Sequence, residues 1–347
     1  MSDFIRKSVQ NMTGYVPGEQ VAGDGIVKLN TNENPYPPAP GVERALRELD
    51  IESLRRYPNP VSTALTDRIA EIHGCAASQV FVGNGSDEVL ALCTRAFVED
   101  GGAIGYFDPS YSLYPVLADI RDVTKKPVPL ADDFGWAMPD GYSADLFFLT
   151  LPNAPTGLLY PKQVIREFCA GFDGVVVIDE AYVDFASENC MELAGEFENV
   201  LVARSLSKSY SLAGLRVGYA VGAAGLVEAL MKLKDSYNLD AVSQALALAA
   251  LQDVEYMKGN VAKIRESRSR LSEALREMGH TVYPSEANFI WVRPQDVDAR
   301  KLFEELKARG ILIRYFEGER TGEFVRITVG TDAEIDKLLE SVSMICS

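Results

Sequence analysis

Histidine is nearly missing from this sequence: His73 and His280 are the two in 347 residues. A histidine-built metal site, or a chain of imidazole bases, can hardly be assembled from them. The five cysteines (Cys75, Cys93, Cys169, Cys190 and Cys346) are odd in number, widely spaced and without a Cys-x-x-Cys pair. That argues for reduced thiols and gives no signal of zinc or an iron–sulfur cluster. Long apolar runs are lacking as well, the longest being residues 245–251, far short of the roughly 20 that span a bilayer. Basic charge is in deficit, with 34 Lys plus Arg against 50 Asp plus Glu and a net charge of −16. Such a chain repels nucleic-acid phosphates and anionic membranes, so neither is an expected partner. No apolar segment follows the charged first residues, and the expected location is the cytoplasm.

What is present is apolar side chain, 47% of the residues against 24% charged. That is enough for more than one core, and two domains are expected. Residues 1–40 mix polar residues with the dense stretch Asn30-Thr-Asn-Glu-Asn-Pro-Tyr-Pro-Pro-Ala-Pro40 and read as an N-terminal arm. From there to about 245, helical spacing (42–49, 63–72, 87–97) alternates with short apolar runs (80–82, 104–107, 146–150, 175–178, 200–203). Buried strands alternating with helices predict an α/β fold with a mostly parallel sheet covered on both faces. Residues 246–347 read as a smaller α/β domain. It would hold a long amphipathic helix (261–278), strands at 281–283 and 288–292, and a helix at 297–309. Strands at 311–314 and 324–329 follow, and the capping box Thr331-Asp-Ala-Glu334 opens a last helix.

Three segments carry chemistry. Ser205-Leu-Ser-Lys208-Ser-Tyr-Ser-Leu-Ala-Gly-Leu-Arg216 sets one lysine and one arginine among hydroxyls just after a strand. A lysine near another cation can lose its proton near neutral pH and form a Schiff base with an aldehyde. Arg216 with Ser205 and Ser207 could hold a phosphate; alternatively, the pair is a solvated lysine and an arginine bound to surface acids. The run 175–178 ends in Asp179-Glu-Ala-Tyr182, an acid and a phenol at the carboxyl end of a buried strand, where ligands bind in open α/β sheets. Such a carboxylate can keep a pyridine nitrogen protonated, or it can simply cap the next helix. Gly83-Asn-Gly-Ser86-Asp87-Glu88 places exposed N–H groups at a helix start, an anion site. It is neither a Walker A sequence nor Gly-x-Gly-x-x-Gly, and Ser86 serves equally as an N-cap.

In order along the chain stand Asn32-Glu-Asn-Pro35, Arg56-Tyr-Pro58, Gly85-Ser-Asp-Glu88, Pro152-Asn-Ala-Pro-Thr-Gly157, Asp179-Glu-Ala-Tyr182, Ser205-Leu-Ser-Lys208, Leu212-Ala-Gly-Leu-Arg216 and Arg326-Ile-Thr-Val-Gly330. With these the sequence resembles the histidinol-phosphate aminotransferases from the arm to the last helix. The Lys208–Arg216 segment is common to fold-type I pyridoxal-phosphate enzymes, which have an aspartate-aminotransferase-like large domain. The arm motif and the Arg326 motif narrow the resemblance to this branch. It implies that Lys208 carries pyridoxal 5'-phosphate through a Schiff base and later moves a proton. It also implies that Asp179 holds the pyridine nitrogen, Tyr182 the phenolic oxygen, and Tyr111 the ring face. The phosphate would be held by the backbone at Ser86 and Asp87, by Ser205, Ser207 and Arg216, and by Tyr57 from the neighbouring subunit of a homodimer. One position departs from the pattern. Relatives place Asn directly before Pro-Thr-Gly, where this chain has Ala154, with Asn153 one residue earlier. Asn153 is expected either to take over the bond to the phenolic oxygen or to leave it to Tyr182.

Phe324, Arg326 and Thr328 share one face of their strand, which sets an arginine among core-like residues, and Arg314 ends the apolar run 311–313. Each suits an anion or a neighbouring acid. The resemblance supplies the anions, the α-carboxylate of glutamate and the phosphate of histidinol phosphate, and sets Tyr15 and the arm 30–34, with Asn32, near the same pocket; alternatively, these residues simply pack the arm. It implies amino transfer between L-glutamate and imidazole-acetol phosphate, giving 2-oxoglutarate and L-histidinol phosphate in histidine biosynthesis. Threonine-phosphate decarboxylases and aromatic-amino-acid aminotransferases share most of these motifs. A non-catalytic anion-binding module built on the Gly83 loop is the reading from another class.

Overall fold

The computed structural model describes residues 4–20, 23 and 25–346. Val27–Lys28 forms β1, followed by β2 (Val80–Gly83), β3 (Ala103–Asp108), β4 (Thr124–Pro129), β5 (Leu146–Thr150), β6 (Val175–Asp179), β7 (Val200–Ser205) and β8 (Gly218–Gly222). The near-continuous apolar runs of β5, β6 and β7 make them the centre of a seven-stranded sheet of order β2-β8-β7-β6-β5-β3-β4. β3 to β7 pair in parallel, and β8 alone runs antiparallel to its neighbours β2 and β7. Strand alternation sends Phe147, Leu149, Val176, Ile178 and Val202 to one face and Phe148, Val177, Leu201 and Ala203 to the other. Both faces are therefore buried under helices.

The second half of the molecule has its own core. β9 (Thr281–Val282), β10 (Phe289–Arg293), β11 (Ile311–Leu312), β12 (Arg314–Tyr315) and β13 (Val325–Thr328) follow. Four of them make an antiparallel sheet of order β12-β13-β10-β9, packed with Ile264, Leu271, Ile335 and Leu338. The expected single strand 311–314 is two strands: β11 pairs in parallel with β1 of the arm, and β12 pairs with β13. One extra residue between them, Ile313, lets the chain serve two sheets. The helix Ala241–Gln252 buries Leu246, Ala247 and Leu251 in the core of the large sheet. The next helix, Val254–Glu277, buries Met257, Val261 and Ile264 in the second core. The change of partner thus falls at Asp253, whose carboxylate caps that second helix, and not at 245, which lies inside a helix. The arm is built into the second core, to which Val27 and Leu29 belong. Its backbone is held by Gly310, Leu312 and Thr328.

Candidate active site

The parallel strands end side by side, and their carboxyl ends carry Asp108 (β3), Thr150 (β5), Asp179 (β6) and Ser205 (β7). With the arm residues 30–33 above them, Thr150, Asp179 and Ser205 line a cavity of about 260 Å³, and Ser110 and Tyr111, just beyond Asp108, complete that side. Every site residue expected from the sequence lines it except Asn153 and Tyr57.

At its floor Asp179 is 2% exposed. Tyr114 Oη donates to Asp179 Oδ2 at 2.9 Å, and the Ala181 N–H reaches Oδ1 at 3.3 Å. Burial raises the carboxyl to about 6, opposed by the Tyr114 bond and reinforced by Asp87. Above it, Lys208 Nζ donates to the Thr31 carbonyl at 3.2 Å and lies 5.7 Å from the Tyr182 ring centre. Desolvation, and then the nearby Arg326, lower this amine to about 8, while Glu33 and Asp87 pull the other way. Part of the population is therefore an uncharged nucleophile close to neutral pH.

One end of the cavity is built to hold an anion. The helix Ser86–Phe97 opens there, entered through Gly85 at φ 83. A Cβ at Gly85 would stand 2.7 Å from Arg216 Nη2, and one at Gly218 would stand 2.4 Å from the Ser86 nitrogen. Arg216 is half-exposed, held by Asp87 Oδ2 at 3.1 Å and by Ser207 Oγ at 3.5 Å. Glu88 faces away from this cradle, accepting from Asn84 N–H and Asn238 Nδ2. Tyr111 donates to Asp87 Oδ1 at 3.1 Å and packs edge-on against Tyr114 and Tyr15.

At the other end stands Arg326, between the rings of Phe289 and Phe316 at 5.2 and 5.3 Å. Its Nη2 donates to the Asn30 carbonyl at 3.0 Å. Its buried Nε has no partner among the described residues. A guanidinium with a vacant donor is matched to a bound oxyanion. Arg314 instead donates to the Val16 and Pro17 carbonyls at 3.2 and 3.3 Å, and so holds the arm in place.

Asn153 requires a correction. Its amide donates to the Pro109 carbonyl at 3.3 Å and accepts from the Thr156 hydroxyl at 2.7 Å, inside its own turn. Ala154, not Asn153, lines the cavity. Tyr57 lies elsewhere, 81% exposed and stacked on Tyr237 at 4.4 Å. Three residues had no role assigned from the sequence. Tyr114 stands three residues after Tyr111, in the first turn of the helix Leu113–Arg121, and the two rings pack edge-on. Glu33, inside the quoted arm motif, is bound by Lys28 and Thr31; these bonds outweigh its burial and hold its carboxyl below the usual range. Ser110 presents a buried hydroxyl without a partner among the described residues, and no sequence pattern marks it.

A family model described as aminotransferase class I and II matches residues 24–342. The chain belongs to that aminotransferase family. Among similar aminotransferases is the histidinol-phosphate aminotransferase of Microcystis aeruginosa, 42% identical over 98% of each chain. The protein of the same name from Chromohalobacter salexigens is 43% identical over the full length of both. Of solved structures, the histidinol-phosphate aminotransferase of Sinorhizobium meliloti in complex with pyridoxal-5'-phosphate superposes with a TM-score of 0.87 at 25% identity, covering 99% of each chain. The L-threonine-O-3-phosphate decarboxylase of Porphyromonas gingivalis shares the aminotransferase fold, with a TM-score of 0.81 at 22% identity over 92% of this chain and 99% of that one.

Proposed function

We propose that this aminotransferase is a histidinol-phosphate aminotransferase. It moves the amino group between L-glutamate and imidazole-acetol phosphate, giving 2-oxoglutarate and L-histidinol phosphate in histidine biosynthesis, with pyridoxal 5'-phosphate as cofactor. Full-length similarity to relatives of that name supports the substrate. The observation that carries the chemistry is one cavity holding three groups in sequence: a buried carboxylate, a lysine amine lowered to about 8, and a guanidinium with a vacant Nε.

The residues present fit the cofactor. Asp179 suits a pyridine nitrogen, and its raised value falls once that nitrogen shares its proton. The glycine-bounded helix start, with Ser205, Ser207 and Arg216, suits a phosphate. When bound, pyridoxal phosphate supplies an aldehyde for the amine and a ring that withdraws electrons from the substrate's α-carbon. Lys208 Nζ, uncharged above about pH 8, takes the α-proton and returns it. Tyr111 covers one side of the cavity, and Arg326 binds the carboxylate or phosphate that reaches its free Nε. Tyr182 would donate its hydroxyl hydrogen to the phenolic oxygen.

The working unit is then a cytoplasmic homodimer in which each Tyr57 serves the other subunit's phosphate site. Ile51, Leu54, Tyr57 and Val61 form an exposed apolar stretch that supports this reading, since a second copy would cover it.

A single-turnover titration of the loaded protein with histidinol phosphate tests the function. The visible absorption of the lysine-bound cofactor should give way to that of its amine form and return on adding 2-oxoglutarate. An unchanged spectrum, with carbon dioxide released from threonine phosphate, would replace this reading by the decarboxylase one.

A further inference from the structure

We propose that Asn32 is a positioning residue that turns the Tyr182 hydroxyl hydrogen into the cavity, toward the cofactor's phenolic oxygen; this rests on the pyridoxal-phosphate reading above. Asn32 is 1% exposed and sits in the left-handed region at φ 57, which asparagine tolerates better than most residues. Its backbone N–H donates to Thr328 Oγ1 at 3.0 Å, and the Thr328 hydroxyl donates to Asn32 Oδ1 at 3.0 Å. Thr328 Oγ1 accepts the backbone N–H, and Asn32 Oδ1 is the acceptor its buried hydroxyl hydrogen finds among the described residues; the flipped amide would leave that hydrogen without one. This assigns Oδ1 to the Thr328 side of the amide. Nδ2 therefore faces Tyr182 and donates to its oxygen at 3.0 Å. An amide nitrogen accepts nothing, so the tyrosine's own hydrogen lies on the oxygen's other side.

The surroundings leave that hydrogen to the cavity. Phe289 packs edge-on against the Tyr182 ring at 5.0 Å. Ala154 joins the same apolar cluster and offers a methyl group where a polar side chain would compete. The Asn153 amide is bound inside its turn. The charged groups facing Tyr182 are Arg326, Asp179, Asp87 and Lys208. Burial keeps the phenol protonated, and Arg326 and the Asn32 bond moderate that rise. Asn288 Nδ2 donates to the Asn32 carbonyl at 2.9 Å, which fixes the backbone without touching the hydroxyl.

The test is the pH titration of the visible band of the loaded protein, with the cofactor dissociation constant as second readout. Asn32→Asp keeps the size and the left-handed backbone but offers an acceptor, which draws the tyrosine hydrogen away. Thr328→Val removes the donor that fixes the amide and changes no charge. Both should raise the midpoint of the band, Asn32→Asp by about one pH unit, because a phenolic oxygen without its donor holds the shared proton more tightly. Adding Ala154→Asn to Thr328→Val should reverse most of the shift by supplying a second donor. Asn288→Ala, which loosens only the backbone, should lower the melting temperature and leave the midpoint in place. If neither Asn32→Asp nor Thr328→Val moves the midpoint, or if Asn288→Ala moves it equally, the assignment to Asn32 fails and the cofactor reading stands. A wild-type protein without a visible band that Lys208→Ala abolishes overturns the cofactor reading, and this assignment with it.

Discussion

Lys208 and Asp179 are displaced from their ordinary ionisation in opposite directions by the same cause, the removal of water from a charged group. Burial disfavours the ammonium, so the folded chain releases the Lys208 proton at about 8 instead of 10.5. Burial disfavours the carboxylate too, so Asp179 stays protonated up to about 6. For stability, protonating Lys208 opposes folding, a penalty absent above 10.5 and complete below about 8. Ionising Asp179 opposes folding likewise, a penalty absent below 3.8 and complete above about 6. Function uses what stability loses. Pyridoxal phosphate should attach to the cofactor-free protein faster as pH rises, with an inflection near 8, read from the growth of visible absorbance. An inflection at the ordinary lysine value would contradict the desolvated amine. Which residues share the cavity was largely legible, because the Lys208–Arg216 and Asp179–Tyr182 segments sit directly after strands. Tyr114 was legible only as a neighbour of Tyr111, three residues on, and Ser110 was not legible, because no pattern in the sequence fixes how the loop after β3 turns its hydroxyl. Asn153 misled because a one-residue offset in a turn reverses which side chain faces the site.

The element proposed to bind phosphate is the strand–loop–helix unit from β2 to the helix Ser86–Phe97. Its glycines are fixed by contact and conformation: Gly85 has φ 83 and no room for a Cβ against Arg216 Nη2. Gly85→Ala should weaken pyridoxal phosphate binding about tenfold, scarcely change pyridoxal binding, and cost roughly 1–2 kcal/mol of stability. Paired titrations with the two ligands check this, and equal losses would contradict a phosphate-specific cradle. Among the elements, those with strong periodicity were legible. The capping box at Thr331 forms, with Glu334 Oε2 accepting the Thr331 N–H at 2.7 Å. β4 was missed because Thr124–Pro129 is an exposed edge strand carrying two prolines and two lysines, which lacks an apolar pattern. β8 was missed because glycines bound it at both ends. The division of 311–314 between two sheets depends on the arm folding back, a contact between residues far apart in sequence.

At the scale of the molecule, the arm joins the two cores to the site. Val27 and Leu29 anchor it in the second core, Arg314 holds Val16 and Pro17, and residues 30–33 close the cavity over the strand ends. Among the described residues, no helix is long and apolar enough to cross a membrane. All five cysteines are free. If Tyr57 serves the other subunit, mixing inactive Tyr57→Phe and Lys208→Ala homodimers should restore up to about a quarter of native activity. In random mixing half the dimers are mixed, each with one intact site, and no recovery would count against the shared site. The measurement that tests the central claim most directly follows the nitrogen atom. Loaded protein is incubated with 15N-labelled glutamate and imidazole-acetol phosphate, and the product is analysed by mass spectrometry. The expected result is histidinol phosphate carrying one 15N, formed by the native chain and not by Lys208→Ala. Unlabelled product, or label transfer that survives loss of Lys208, would contradict an aminotransferase working through this lysine.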